Sequence, residues 1–395
     1  CISVIFAALM LSAYLIRMNA DGPELYALLL TSGIGALVMV GSNELIVLFL
    51  GLEILSLSLY LLAASNRDRE QSQESGLKYF ILGGFSSAFF LYGVALIFGS
   101  TGSTKISGIG ETLSGNISII NTDAMLLIGI GLLLVGLGFK VSAAPFHVWT
   151  PDVYEGAPTI FTMFMSTVVK AASFAALYQL LSGPFGTMYG TWVYPIYYIS
   201  MLTLLVGNIT AVYQQSAKRM LAYSSISHAG YMLLTVSANQ ASTPSTILYY
   251  SLSYTLATIV AFGVVMLVAE YQTGRTEKPE NFSSFEGLAK QNPGLAFCFT
   301  IALLSLAGIP LTAGFWGKFF VFSDIFNRHV YYPVILAIVM SAVGVYYYFK
   351  GIIGGTTNFA GKVAFEALST SAKLTRFAAT QLTSKALPSA GLQSS

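Results

Sequence analysis

Charge is scarce in this 395-residue sequence. Asp, Glu, Lys and Arg make up 9% of it, against about 25% in a soluble domain. Cysteine is nearly absent. Cys1 and Cys298 lie far apart, and no CxxC or Cys/His cluster occurs, which argues against an iron–sulfur or structural zinc site. No GxGxxG opens a helix after a strand, and no GxxxxGK[ST] is present, so the chain carries no nucleotide-binding signature. A net charge of +2 leaves no electrostatic case for a nucleic-acid partner. The chain begins on Cys rather than Met, as expected of a fragment, a processed product or a partial chain.

Apolar residues fill the gap. They make up 55% of the chain, and the mean hydropathy is +0.71. Long apolar runs exclude a β-barrel, and backbone polar groups in lipid must pair within the segment, so the spans are helices. About eleven runs approach the ~20 residues that cross a bilayer: 1–16, 25–41, 45–64, 77–99, 124–149, 158–181, 193–213, 220–238, 245–270, 296–325 and 332–350. The expected fold is an all-α, polytopic membrane helix bundle over 1–350. Residues 351–395 form a Ser/Thr/Ala-rich tail that reads as an interfacial amphipathic helix or a disordered segment.

The loops give the orientation. If the side reached after the third span is called X, it holds Arg17, Arg67, Arg69, Lys218, Arg219, Arg275, Lys278, Lys290 and Lys350. The opposite side, Y, holds Lys105 and Arg328. Nine basic residues against two place X in the cytoplasm or matrix.

Four lysines fall within spans: Lys78, Lys140, Lys170 and Lys318. Glu53 is the acid deep in an apolar helix, LFLGLEILSLSLYLL. A charge at the bilayer centre costs roughly 2.5–3.5 kcal/mol on the insertion scale, so such groups face the bundle interior, a partner or water. A lysine held away from water can release its proton, which an arginine cannot. No arginine falls inside a proposed span, and histidine titrates near neutral pH. His147 and His228, on separate spans, therefore join the lysines and Glu53 as candidate proton-relay groups. Each has a plainer reading: Lys78 lies near its span end and can snorkel to the X surface; the other lysines can be structural; Glu53 can be a packing acceptor; the histidines can satisfy neighbouring backbone or serine groups.

Two spans hold both a mid-span proline and a lysine. Pro145 follows Lys140, and Pro310 precedes Lys318. Proline removes a backbone donor and breaks the helix, which predicts that Val141 loses its carbonyl partner. Broken spans are tolerated where they line protein or water. Two corresponding interrupted spans, 124–149 and 296–325, point to inverted repeats around an ion site.

The stretch GFKVSAAPFHVWTPDVYEGAPT resembles the signature of the antiporter-like membrane subunits of complex I, of the subunit 2 (N) type. FLGLEILSLSLYLLAAS, GLKYFILGGFSS, AKRMLAYSSISHAGYM and SLAGIPLTAGFWGKF occur in the family's order over residues 25–350. The resemblance implies a fold of fourteen helices with two inverted five-helix repeats and two broken helices, in which these spans are the third to thirteenth. It implies a proton path using Glu53 and Lys140 as an interacting pair, Lys78, Lys170 leading laterally toward Lys318, and His147 and His228 as relay or water-organising groups. It implies an enzyme subunit without a redox site of its own, in a complex that uses NADH, FMN, iron–sulfur clusters and quinone. The implied partners are membrane lipids, the adjacent antiporter-like subunit, small hydrophobic subunits, and a separate chain for the missing first helices unless the N-terminus is naturally short. The fourteenth helix is not visible either. The implied compartment is the mitochondrial inner membrane, with the bacterial plasma membrane and thylakoid as alternatives. Mrp-type cation/proton antiporter subunits share the scaffold, and a non-pumping scaffold subunit is a third reading.

Overall fold

The computed structural model describes residues 7–8, 11–12, 22–115, 123–272 and 280–355. Apart from four helical residues, the first expected span lies outside them, as do the tail beyond 355 and the loop cations Arg275 and Lys278. The described residues are helical, with two isolated antiparallel bridges, Glu44 with Lys105 and Ser216 with Asn281. In chain order the helices are α1 (Pro23–Gly41), α2 (Leu45–Ala63), α3 (Glu70–Thr101), α4 (Ile106–Gly115), α5 (Ala124–Val141), α6 (Trp149–Gly156), α7 (Thr159–Ser182), α8 (Tyr189–Val212), α9 (Ala217–Ala238), α10 (Thr243–Gln272), α11 (Pro293–Ala307), α12 (Ala313–Phe326) and α13 (Tyr331–Gly355).

Among the described residues, eight helices are long and apolar enough to cross a membrane: α1, α2, α3, α5, α7, α8, α10 and α13. The remaining expected spans are α9 and the broken pair α11–α12. α9 is less apolar for a physical reason. All of its residues except Arg219 and Tyr223 are buried. A helix walled by other helices meets protein rather than lipid, so serines and a histidine can occupy positions that a lipid-facing helix fills with leucine. Leu30, Leu37, Phe85 and Leu248, by contrast, stand on the outside, where lipid is their solvent.

Charged groups gather at both ends of the bundle. Ion pairs join the start of α3, the end of α6, the start of α9 and Glu280 on the X face. On the Y face the α1–α2 loop pairs with Lys105, and Arg328 donates to the carbonyls of Ala238 and Asn239.

An internal repeat is visible in packing. α1 and α2 cross closely, and so do α8 and α9, five spans later. Each crossing relies on a small residue where backbones meet. A Cβ on Gly51 would stand 2.5 Å from the Met39 nitrogen, and one on Gly207 would stand 2.6 Å from the Ser227 nitrogen.

The breaks repeat too. α5 ends at Val141, with Ser142 left-handed at φ 63°; Ser142 N–H donates to Phe139 and Ala143 N–H to Gly138. α11 ends at Ala307, with Gly308 left-handed at φ 79°; Gly308 N–H donates to Ser305 and Ile309 N–H to Leu304. This is the same paired C-terminal cap twice. It modifies the expectation from proline: the helix is already finished before Pro145 and Pro310, and each proline sits in the connector rather than kinking a continuous helix.

Candidate functional site

Lys140 is the last residue but one of α5. It is 1% exposed, and its Nζ has no hydrogen-bond partner. The ammonium lies over the rings of Tyr60, Tyr79 and Phe139, at 5.5, 5.3 and 5.7 Å from their centroids. Such contacts return about 2 kcal/mol or more each when desolvated, less than full ion pairing would. Trp149 closes the box from behind. It stacks on Tyr79 at 4.5 Å and on Phe139 at 5.1 Å, and its Nε1 donates to the Phe139 carbonyl at 3.0 Å. Thr150 donates to Ser142 at 2.8 Å. The first turn of α6 is thus stitched to the end of α5 on either side of Lys140.

Glu53, on α2, faces the same region. Its Oε1 is buried without a partner, and its charge reaches Lys140 and Tyr60 through space. The two residues make no direct ion pair.

The second group centres on α9. Ser225, His228 and Tyr231 recur every third residue and so lie along one face. Lys170, 1% exposed, donates to the Ser225 carbonyl. It comes directly after a π-helical turn, Met165–Val169. One extra residue in a turn rotates the rest of the helix by about 100°, and π turns of this kind recur at functional positions. Lys318, 5% exposed, stands over the Tyr231 ring at 5.1 Å. It donates to the Ala307 carbonyl at 2.8 Å and to Ser341 at 3.2 Å, so the lysine of α12 binds the broken end of α11. His228 lies between the two lysines, within the field of both. Its Nδ1 is hydrogen-bonded with Tyr250 at 2.7 Å and its Nε2 with Tyr348 at 3.2 Å. Tyr348 in turn is hydrogen-bonded with Ser224. A cavity of about 10 Å³ beside His228, bordered by Ser253, Tyr254 and Ser305, has room for about one water. Lys170, His228 and Lys318 are thus gathered around α9 among tyrosines and serines, with no carboxylate among these partners. Among the described residues, no hydrogen bond joins Lys140 to Lys170.

Two expected relay residues are placed elsewhere. Lys78 is not in the buried row. Its side chain is 42% exposed and pairs with Glu74 at 2.7 Å and Asp152 at 3.1 Å. It belongs to an X-face basin of about 540 Å³ that also holds Arg69, Glu155, Arg219 and Glu280. The reason is its position near the start of α3, before the apolar run. Lys78→Gln is expected to leave the subunit assembled and quinone-coupled turnover within about twofold of wild type, because exposed ion pairs contribute little; turnover in membranes checks this. His147 lies in the connector between α5 and α6, half-buried, with Nδ1 unpartnered, and not against the α9 face.

Sequence reasoning missed three things. Lys218, counted among the loop cations, is fully buried; it donates to the Ala157 carbonyl at 2.6 Å and pairs with Glu280 at 3.4 Å. Its place at the N-terminus of a helix surrounded by others hides it, and spacing gives no sign of that. The tyrosines around His228 were also missed. Asp324 is 5% exposed; an acid inside the apolar run FFVFSDIF was the available signal.

This arrangement has relatives. A family model described as NADH:quinone oxidoreductase/Mrp antiporter, TM, matches residues 42–344. The chain belongs to this membrane family. Within it, the chain is 45% identical over 347 residues to NADH-quinone oxidoreductase subunit N of Trichlorobacter lovleyi, covering 88% of this chain and 70% of the relative. It also resembles a chain of respiratory complex I from Thermus thermophilus, solved with bound aureothin. That match has a TM-score of 0.72 and 36% identity, and covers 89% of this chain and 77% of the other. A chain of the Mrp complex from Dietzia sp. matches with a TM-score of 0.74 at 23% identity, covering 83% and 59%; this likeness concerns the fold alone. As a member of the NADH:quinone oxidoreductase/Mrp antiporter family, of the subunit N type, the chain is an integral membrane protein. Glu53, Lys140, Lys170, His228 and Lys318 all fall within the matched segment.

Proposed function

We propose that this chain is the N-type proton-carrying subunit of a quinone-reducing respiratory complex. The observation that carries the reading is the set of three lysines, 1%, 1% and 5% exposed, none of them in an ion pair among the described residues. A bundle kept for structure alone gains nothing from buried ammonium groups without counter-ions, since the desolvation cost is several kcal/mol per ion. A proton path needs groups that can lose and regain a proton in place. Lys140 exchanges against Glu53 within its aromatic box. Lys170, His228 and Lys318 pass the proton along the α9 face, and a proton on one group alters the next through the low dielectric between them.

The chain supplies no redox site. NADH, FMN, iron–sulfur clusters and quinone belong to other subunits of the complex, and the neighbours of this chain are further membrane-arm subunits and lipids. The relative compared above is bacterial, which favours the bacterial plasma membrane over the mitochondrial inner membrane and thylakoid.

The test is proton uptake recorded beside quinone reduction, with the assembled complex sealed in vesicles. Uptake that tracks quinone reduction and is indifferent to sodium supports the reading. Sodium-dependent proton flux without flavin or iron–sulfur absorbance would identify an Mrp-type antiporter instead. Pumping stoichiometry unchanged when the three lysines are neutralised would leave a scaffold.

A further inference from the structure

Asp324 has no part in the path described so far. It lies in the last turn of α12, six residues beyond Lys318, about 9 Å further along the helix axis. The direction is toward the Y face, where Arg328 meets Ala238 and Asn239. The side chain is 5% exposed. Its Oδ1 accepts from Ser242 at 2.8 Å, and its backbone carbonyl accepts from Gln240 Nε2 at 3.2 Å. Its Oδ2 is buried and has no donor. Arg328, four residues on, does not neutralise it, because the guanidinium is taken by the two carbonyls and lies over the Tyr189 ring at 5.1 Å. Among the described residues no cation pairs with Asp324.

We propose that Asp324 is the release group of this subunit, receiving on Oδ2 the proton that leaves Lys318 and passing it to water on the Y face. This rests on the proton-carrying reading above. The transfer balances simply: the Lys318 ammonium becomes an amine, the Asp324 carboxylate becomes a carboxylic acid, and the acid is then deprotonated by water outside. An oxygen buried without a donor is costly to leave bare, and Oδ2 stands at the Y-ward end of the helix that carries Lys318. Six residues of α12 put the two side chains about 120° apart around the helix as well as about 9 Å apart along it. The step therefore requires water between them.

The two oxygens divide the structural role from the proton role. Asp324→Asn keeps an acceptor for Ser242 and removes the proton site. In the assembled complex in vesicles, proton uptake and coupled quinone reduction are expected to fall about 100-fold, with subunit content unchanged. A redox-induced infrared difference band of a protonated carboxyl, shifted in heavy water, is expected in wild type and absent in the variant. Wild-type pumping in Asp324→Asn beside impaired pumping in Lys318→Ala would overturn the assignment and leave the path intact. Loss of the subunit in Asp324→Asn would overturn it in favour of a structural role. If Lys318→Ala and Asp324→Asn both pump as wild type, the proton-carrying reading itself fails.

Discussion

Proton uptake and quinone reduction are expected to fall together in Lys140→Ala, by about 100-fold, the low end of what a positioned proton carrier contributes, with subunit content unchanged. The two halves of this expectation have separate causes. Uptake is expected to fall because the variant removes the ammonium held over the Tyr60, Tyr79 and Phe139 rings. Assembly is expected to survive because Nζ has no hydrogen-bond partner to orphan, so what the variant loses is the contact with the aromatic rings. Lys140→Met, which refills the volume, is expected to leave the subunit assembled and still fail to pump. Lys140→Arg is expected to fail as well, since guanidinium does not release its proton. Wild-type pumping in Lys140→Met would show that the lysine is structural.

The second large effect is on assembly. Gly207→Val is expected to remove the subunit from the complex, because a Cβ there would stand 2.6 Å from the Ser227 nitrogen. That nitrogen belongs to the turn holding Ser225 and His228, and no rotamer change relieves a clash with backbone. Forced separation of packed helices costs roughly 3 kcal/mol, and it displaces the α9 face on which Lys170 and Lys318 meet. Gly51→Val is expected to do the same at the α1–α2 crossing. Gly41→Ala is the control, since nothing lies within 4 Å of a Cβ there. Immunodetection of the subunit in the isolated complex separates the three. An assembled, pumping Gly207→Val would mean that the α8–α9 crossing tolerates a gap that the packing excludes.

The opposite sensitivities of Lys140 and Gly207 arise from how each residue meets its surroundings. A lysine in an apolar helix carries its cost openly in the sequence. A glycine at a helix crossing is legible only once the partner backbone is in place. The same contrast runs through the site. Lys140, Lys170 and Lys318 were visible because each interrupts an apolar run. Lys78 was visible by the same rule but belongs to the X face, since its distance from the start of the run matters more than its presence in it. Lys218 was hidden because it looks like an ordinary loop cation at a helix start. Asp324 interrupts the apolar run FFVFSDIF in the same way but stands at the edge of its span, where an acid draws less notice.

By itself, the sequence determined that this chain is a helical membrane bundle, which side carries its basic loops, and which charged residues are too costly to be idle. Hydropathy, the distribution of Lys and Arg, and the price of a charge in lipid are properties of residue type and order, so they are complete before folding. Only the tertiary structure decided which of those charges meet. It placed α9 at the centre, where Ser225, His228 and Tyr231 join Lys170 to Lys318, and it held Lys140 among aromatic rings rather than in a closed pair with Glu53. It also ended the two broken helices with left-handed caps ahead of their prolines. These depend on contacts between residues distant in the chain, and such contacts are set by how whole helices pack rather than by any local spacing.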